Sequence, residues 1–212
     1  DKNILIIPIW TDGDFLKPIP KIENSFIINN NLENKFIVMY SGNLGLNNGL
    51  EVLMEVAKNV KNPKVQFLIV GEGIGKPNLV KLASKLNLIN VMFLNWQPTA
   101  ILPYSLAAAD ITIVTLSPEL GNNAIPSKFF NYLSVGAPIL SFADGVSDLG
   151  KLVEKYDVGK NFHIYKTEEV VDFIELMVEE ENSNYYSSKS LEAAKSFSNE
   201  NAKLFVEKIN HK

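Results

Sequence analysis

The chain has 212 residues, 46% of them hydrophobic, and a formal net charge of −4 at pH 7. This length can bury a full core and suits one large or two small domains of an ordinary globular protein. The acidic balance argues against nucleic acid as a partner. No apolar run approaches the roughly 18 residues that a membrane-spanning helix requires.

Cysteine is absent, which excludes disulfides, a thiolate nucleophile and a cysteine-based metal site, and which suits the cytoplasm. The two histidines are His163 and His211, and neither belongs to a metal-binding motif, so we expect no metal. All cationic side chains are lysines, so no guanidinium group is present to clamp an anion.

Residues 1–34 are predicted to form a connector and a first strand. The apolar run from Ile4 to Ile9 is strand-like, and the Asp, Gly and Pro residues that follow it, including Pro18 and Pro20, are typical of a connecting segment. Because the chain begins at Asp1 within this run, without an initiator methionine, we interpret it as a fragment or a processed product.

A regular alternation of strands and helices begins at Lys35. Strands are predicted at residues 36–40, 65–70, 91–94, 111–115 and 139–142. Helices are predicted at residues 50–60, 77–86, 100–109, 149–155, 168–179, 184–195 and 199–209. This order predicts an α/β fold with a Rossmann-like, doubly wound parallel sheet and a helical C-terminal tail. Residues 35–195 are taken as this domain and residues 196–212 as a separate C-terminal helix.

The segment from Pro126 to Pro138 is predicted to begin with a helix whose two faces differ. One face is apolar and the other lies toward a cleft; the apolar residues are Phe129, Phe130, Leu133 and Val135, and the cleft residues are Ser127, Lys128 and Asn131. Lys128 lies in the first turn beside free backbone amides, where a cation opposes the helix dipole. This placement is favourable if an anion binds there. A lysine that points into solvent is the alternative.

The loops after the predicted strands are where an open parallel sheet binds its ligands. Gly42 and Gly45 follow the first strand, where bare amides can approach a phosphate, although such glycines are also needed to make the turn. Asn48 with Glu51 resembles a capping box, so Asn48 is interpreted as a helix cap.

The glycine-rich stretch from Gly71 to Lys76 has the spacing of neither a dinucleotide fingerprint nor a Walker A loop. Lys76 is a candidate phosphate contact, with a solvated lysine as the preferred interpretation. Trp96 follows the third strand and is a candidate contact for a nucleotide base, against the commoner role of tryptophan in a core or interface.

Five motifs occur in a fixed order: Tyr40 to Gly45, Phe67 to Gly73, Val91 to Leu94, Ala109 to Val114, and Pro126 to Ile139. In this order and spacing they resemble the C-terminal domain of family 4 (group 1) glycosyltransferases, over about residues 4–209. These are GT-B enzymes, built from two Rossmann-like domains, that use nucleotide sugars with retention of anomeric configuration. The resemblance implies that residues 1–34 include the interdomain connector and that the terminal helix crosses back to an N-terminal domain.

The resemblance also implies a site for a nucleoside-diphosphate sugar donor and no other cofactor. The residues implied at the diphosphate are Gly42, Asn43, Leu44 and Gly45; those of the nucleotide pocket are Gly71 and Gly73, with Trp96 beside the base. Backbone amides of residues 123–128, that is Asn123, Ala124, Ile125, Pro126, Ser127 and Lys128, are implied to surround the donor sugar and phosphate. Asn131 is implied to bind ribose hydroxyls. Lys128 and Asn123 are the implied catalytic residues.

Two features depart from the family pattern. The family has two glutamates eight positions apart, here at Asn123 and Asn131, and asparagine lacks the charge-assisted bonds of a carboxylate. The basic phosphate ligands of the first loop fall on Asn43 and Asn48, so Lys128 and Lys76 are the candidates to supply the missing charge. The Pro-Ser-Lys sequence is similar to a bacterial surface-polysaccharide branch of the family, which favours a variant site over a dead one.

We therefore expect the donor-binding domain of a retaining glycosyltransferase that acts on a glycan or lipid-linked acceptor, in bacterial surface polysaccharide synthesis. The full-length protein is expected to be a transferase. The isolated chain is expected to be inactive because the N-terminal acceptor domain is missing, and any membrane contact would run through that missing half. A non-catalytic nucleotide-binding or partner-docking module is the alternative, and an NAD-dependent oxidoreductase is disfavoured by the broken fingerprint.

Overall fold

The structure is a computed structural model that describes residues 6–116, 122–163 and 166–210. Six strands form one parallel sheet in the order β3-β2-β1-β4-β5-β6. The strands are β1 (Phe36–Ser41), β2 (Val65–Val70), β3 (Val91–Leu94), β4 (Ile111–Thr115), β5 (Ile139–Phe142) and β6 (Gly159–Phe162). The predicted doubly wound parallel sheet is thereby confirmed, and its strand order reverses between β1 and β4.

Helices follow the strands and cover both faces of the sheet. They are α1 (Ser25–Asn29), α2 (Glu51–Asn59), α3 (Lys76–Lys85), α4 (Leu102–Leu106), α5 (Lys128–Ser134), α6 (Asp148–Tyr156), α7 (Thr167–Met177), α8 (Glu180–Ala194) and α9 (Glu200–Asn210). None of the helices in the described ranges is long and apolar enough to span a membrane.

The core consists of two hydrophobic layers, one on each face of the sheet. Alternate residues of β1 enter different layers, since Ile37 and Met39 pack in one and Val38 and Tyr40 in the other. A strand covered on both faces is apolar throughout, which explains why five strands were predicted from short runs of Val, Ile, Leu and Phe.

Strand β6 and helix α4 differ from the prediction. Strand β6 was not predicted because Gly159–Phe162 contains a glycine and two polar residues; it pairs with β5 alone, at the edge of the sheet. The helix predicted at residues 100–109 is shorter, with a 3-10 turn at Thr99–Ile101 before α4. Pro103 lies at the start of α4, where the missing amide hydrogen of proline is tolerated, so the α-helix begins beside it.

The strand predicted within residues 1–34 is not formed over residues 6–9, and residues 1–5 lie outside the described ranges. Ile6 and Ile9 are exposed, and no strand pairs with them in the described sheet. The segment instead packs on the domain through separate contacts. Thr11 donates its amide to the carbonyl of Phe197, and Lys21 forms an ion pair of 2.5 Å with Asp110.

Candidate functional site

A crevice opens where β1 and β4 separate. The last pair between these strands is Met39 with Thr112, whereas β1 remains paired with β2 as far as Ser41 with Val70. A cleft of about 270 Å³ lies at this carboxyl edge. It is lined by Ser41, Gly42, Val70, Trp96, Gln97, Leu102, Leu106, Ser127, Lys128, Asn131 and Tyr132. Open parallel sheets bind their ligands at such a switch in strand order.

Five residues predicted for the site line this cleft together: Gly42, Trp96, Ser127, Lys128 and Asn131. The other predicted residues are absent from the lining. Ala124 and Ile125 pack against the hydrophobic core, and Leu44 is fully buried, so their side chains do not face the cleft. Asn123 lies in an exposed turn ahead of α5. Residues 117–121 of the same loop lie outside the described ranges.

Among the described residues that line the cleft, Lys128 is the single charged side chain. Its Nζ lies 4.0 Å from the centre of the Tyr40 ring, a cation–π contact. Within the described residues, no hydrogen bond or ion pair reaches this ammonium group. Burial lowers the pKa of Lys128 from 10.5 to about 8. The cleft therefore presents a positive charge near neutral pH. An aromatic ring lies beside this charge, and no carboxylate of the described lining residues balances it.

The start of α5 supplies fewer backbone donors than was predicted for residues 123–128. Pro126 has no amide hydrogen, so it cannot donate to an anion. The amides of Phe129 and Phe130 already donate to the carbonyls of Pro126 and Ser127. The amides of Ser127 and Lys128 are not among these donors, and the Lys128 ammonium adds a full positive charge at this end of the helix.

The loop that follows β1, residues 42–45, is hydrogen-bonded to the end of β2 and the loop that follows it. Gly42 donates its amide to the Val70 carbonyl and Leu44 donates to the Glu72 carbonyl, at 2.9 and 2.8 Å. A Cβ on Gly71 would lie 1.9 Å from the Gly42 carbonyl oxygen, and one on Gly73 would lie 2.4 Å from that of Leu44. Gly71 and Gly73 are therefore required for the close approach of two loops, and two amides of the first loop are occupied by that contact.

The capping-box interpretation of Asn48 is wrong. Helix α2 begins after Leu50, without a side-chain cap, because Gly49 adopts a left-handed conformation that separates Asn48 from the helix. The Asn48 side chain instead donates to the Asn43 carbonyl at 2.7 Å, which the Tyr40 hydroxyl also bonds at 2.9 Å. Asn48 thus shapes the first loop.

Lys76 is not the solvated lysine that the sequence suggested. Its side chain is 17% exposed and its ammonium contacts Glu72 Oε1 and Asn95 Oδ1 at 2.8 and 2.9 Å. Lys76 does not line the cleft. Its charge is already balanced by Glu72, so the candidate role as a phosphate contact falls to Lys128.

Trp96 follows β3 and is 65% exposed at the wall of the cleft. A core role for this tryptophan is thereby excluded. Gln97 lies beside it in the lining and was not singled out from the sequence. An exposed indole next to amide groups provides a flat apolar surface with hydrogen-bonding groups at its side.

Two tyrosines at the cleft were also missed. Tyr40 and Tyr132 are buried, and their sequence positions within a strand and an apolar helix face indicated core residues only. Tyr132 bonds the backbone of Ser41 through its hydroxyl. No cluster of three or more His, Cys, Asp or Glu side chains suited to a metal occurs in the described parts of the chain.

A protein-family model described as "Glycosyl transferases group 1" matches residues 21–206. The chain therefore belongs to the group 1 glycosyl transferase family, which replaces the oxidoreductase alternative. It is 31% identical over 158 residues to the Escherichia coli (strain K12) protein WcaI, which is named as a colanic acid biosynthesis glycosyl transferase. That alignment covers 73% of this chain and 39% of WcaI. The chain spans about two fifths of the length of the curated relatives it matches.

Solved structures show the same fold. The Anabaena protein HepE, in complex with UDP and glucose, superposes with a TM-score of 0.80 at 18% identity, covering 96% of this chain and 56% of HepE. The C-terminal domain of a glycosyl transferase group 1 family protein, LpcC of Francisella tularensis, superposes with a TM-score of 0.67 at 10% identity. In that case 88% of this chain matches 95% of the isolated domain. The chain thus has the fold of one half of a GT-B enzyme.

Proposed function

We propose that this chain is the donor-binding domain of a retaining glycosyltransferase, which moves a sugar from a nucleoside diphosphate to a glycan or lipid-linked acceptor. The observation that carries the proposal is the charge of Lys128, which lies in a cleft at the switch point where the described lining residues include no acidic side chain. A diphosphate is the part of a nucleotide sugar that such a charge would bind.

The proposed chemistry relies on electrostatic stabilisation of the leaving diphosphate. The bond between the sugar C1 and the diphosphate oxygen breaks, and the diphosphate leaves with the electron pair. The acceptor hydroxyl forms the new bond to C1 on the same face and gives its proton to the departing diphosphate oxygen. Lys128 stabilises the charge that develops on the diphosphate, in a site where burial keeps water from screening it.

The remaining residues bind and orient the donor. Asn131 lines the cleft one helical turn after Lys128 and is proposed to bond ribose hydroxyls with its amide group. Asn123, in the turn before the helix, is proposed to contact the sugar. Trp96 is proposed to stack on the nucleotide base, since its indole face is open at the cleft wall. Gly42 and Asn43 are proposed to lie beside the diphosphate.

The acceptor is proposed to bind a second domain that this chain lacks. The chain spans about two fifths of the length of its curated relatives, which supports the existence of a second domain. Exposed apolar residues near both ends of the chain also support it. Trp10 and Phe205 are in ring contact at 6.2 Å, and both are about 40% exposed or more. Val206 and Ile209 on α9 are also exposed. Any membrane contact is assigned to the acceptor half, and this chain alone is proposed to be inactive.

A role in bacterial surface polysaccharide synthesis is proposed from the similarity to WcaI. A cytoplasmic location is proposed because the sequence contains no cysteine. Both assignments concern the whole protein.

Calorimetric titration with UDP, GDP and ADP tests the proposal. One of these nucleotides is expected to bind with a Kd below about 1 mM, and the corresponding nucleoside more weakly by about tenfold or more, because it lacks the diphosphate. If none of the three binds at about millimolar concentration, the chain is not a donor-binding domain.

A second candidate function is a nucleotide-binding or partner-docking module without catalysis. The observation that favours it is the pair of asparagines, Asn123 and Asn131, at the positions of the family's glutamates. Incubating the protein with its N-terminal half and the nucleotide sugar that binds separates the two. Release of nucleoside diphosphate supports the transferase, and tight binding without release supports the module.

A further inference from the structure

At both ends of β1, side chains form hydrogen bonds with backbone groups that point toward β4. Alternate residues of a strand direct their backbone groups to opposite neighbours, and Phe36 and Gly42 donate toward β2. Ile37 and Ser41 therefore direct theirs toward β4. At the lower end, Asp110 closes the edge, since its carboxylate accepts from the Ile37 amide at 2.7 Å and its own amide donates to the Ile37 carbonyl.

At the upper end, Tyr132 takes the place of a strand partner. The pairing of β1 with β4 ends at Met39, so Ser41 has no paired residue in β4. The Ser41 amide donates to the Tyr132 hydroxyl at 3.3 Å, and that hydroxyl donates to the Ser41 carbonyl at 3.2 Å. One hydroxyl satisfies both backbone groups, which would otherwise be unpaired beside the crevice. Tyr132 is fully buried, and burial raises its pKa, so the hydroxyl stays protonated and able to donate.

This contact joins the two elements that form the cleft. Lys128 precedes Tyr132 by four residues, so both lie on one face of α5. Gly42, whose α-carbon faces the Lys128 ammonium, directly follows Ser41. We propose that Tyr132 is a positioning residue that fixes α5 against the end of β1, so that Lys128 is held over Tyr40 and Gly42. The proposal deepens the function proposed above, because the group it positions is the proposed diphosphate ligand.

Ser134 provides a matched comparison on the same helix. Its hydroxyl is also buried and donates to the Phe130 carbonyl, and it contacts the Thr11 hydroxyl at 2.6 Å. Ser134 does not line the cleft. The variant S134A therefore removes a buried hydroxyl from α5 without releasing Ser41.

The test compares Y132F and S134A with the wild type in two measurements. The first follows the pKa of Lys128 by NMR of lysine side chains without ligand, with K128M used to assign the signal. The second is the affinity for UDP. In Y132F the pKa is expected to rise from about 8 toward 10.5, because α5 moves from β1 and water reaches the ammonium. UDP affinity is expected to fall by about tenfold. In S134A both are expected to match the wild type.

Wild-type values for both quantities in Y132F would overturn the proposal, as would equal changes in S134A and Y132F. If the wild type binds no UDP, the proposal of a uridine nucleotide site is wrong. The pKa of Lys128 measured without ligand still decides whether Tyr132 positions Lys128. If Y132F does not fold, hydrogen exchange in the wild type decides instead. Slow exchange of the Ser41 amide supports its bond to Tyr132, and exchange as fast as that of an exposed amide contradicts it.

Discussion

A methyl group on Gly42 would lie 2.6 Å from the Nζ of Lys128. The space that the absent side chain leaves is therefore the space that the ammonium group occupies. Gly42 also has a φ of 149°, which L-residues rarely adopt. Gly42, which follows β1, thus leaves room for the Lys128 ammonium of α5, although the two residues are far apart in the sequence.

The variant G42A is expected to displace Lys128 rather than the backbone, because the amine end of a lysine is flexible. Nucleoside-diphosphate affinity should fall by about tenfold, with a loss of about 1–2 kcal/mol of stability from the strained φ. Calorimetry and urea unfolding measure the two effects. G13A is the control, since a Cβ at Gly13 has no neighbour within 4 Å, and it should bind as the wild type does. If G42A binds with unchanged affinity, the added methyl group does not displace the Lys128 ammonium, and the prediction is wrong.

The affinity for nucleoside diphosphate is expected to fall as the pH rises from about 7 to about 9. The pKa of Lys128 is about 8 in the free protein, so its ammonium loses its proton within this interval. The terminal phosphate of the nucleotide is ionised throughout, because its second pKa is about 6. Titrations at several pH values should show the fall in the wild type and a flat profile in K128M. A flat wild-type profile would mean that Lys128 does not bind the phosphate.

Replacing Lys128 is expected to stabilise the fold near neutral pH. The charged form is disfavoured in the folded protein, where burial lowers the pKa from 10.5 to about 8. The unfolded chain therefore binds more protons between these two values, and wild-type stability rises with pH across them. K128M should be more stable than the wild type by roughly 1–2 kcal/mol at about pH 7, after allowance for partial exposure.

Urea unfolding at a series of pH values measures this difference. The gap between K128M and the wild type should narrow as the pH rises through about 8, since the folded wild type then loses the charge. A K128M protein that is less stable than the wild type at neutral pH would indicate a structural role for the lysine.

Trp96 is expected to report nucleotide binding by fluorescence. The chain contains two tryptophans, Trp10 and Trp96, so W10F leaves the cleft residue as the single indole emitter. Stacking of a base on Trp96 should quench its emission upon titration with the nucleotide. W96A should lower the affinity by about 1–3 kcal/mol, which is typical of a base stacked on an aromatic ring, without loss of stability because the side chain is 65% exposed. If W10F binds the nucleotide without quenching of its fluorescence, the base does not stack on Trp96.

The sequence predicted the fold better than the site because the two depend on different information. Strands such as Val65–Val70 are buried at every position and apolar at all positions but Gln66, and this local pattern is sufficient to identify them. Strand β6 escaped detection because its sequence, with Gly159 and Asn161, is that of a turn, and only its pairing with β5 makes it a strand. The helix face that carries Ser127, Lys128 and Asn131 was predicted from helical spacing and does line the cleft.

The partners of these residues could not be read from spacing. Tyr40 lies beneath the Lys128 ammonium only because α5 packs over the end of β1. Nothing in the sequence of α5 distinguished Tyr132 as the partner of Ser41. Asn48 was taken for a cap because a capping box is a sequence pattern, whereas the conformation of Gly49 that prevents it is visible only in three dimensions.

The most direct test of the account is a calorimetric comparison of K128M with K76M. Both variants remove one lysine charge near the carboxyl edge of the sheet, but Lys76 is paired with Glu72 and does not line the cleft. We expect K128M to bind the preferred nucleoside diphosphate at least about tenfold more weakly than the wild type, while K76M binds within about twofold of it. Equal affinity of K128M and the wild type would contradict the assignment of Lys128 as the diphosphate ligand.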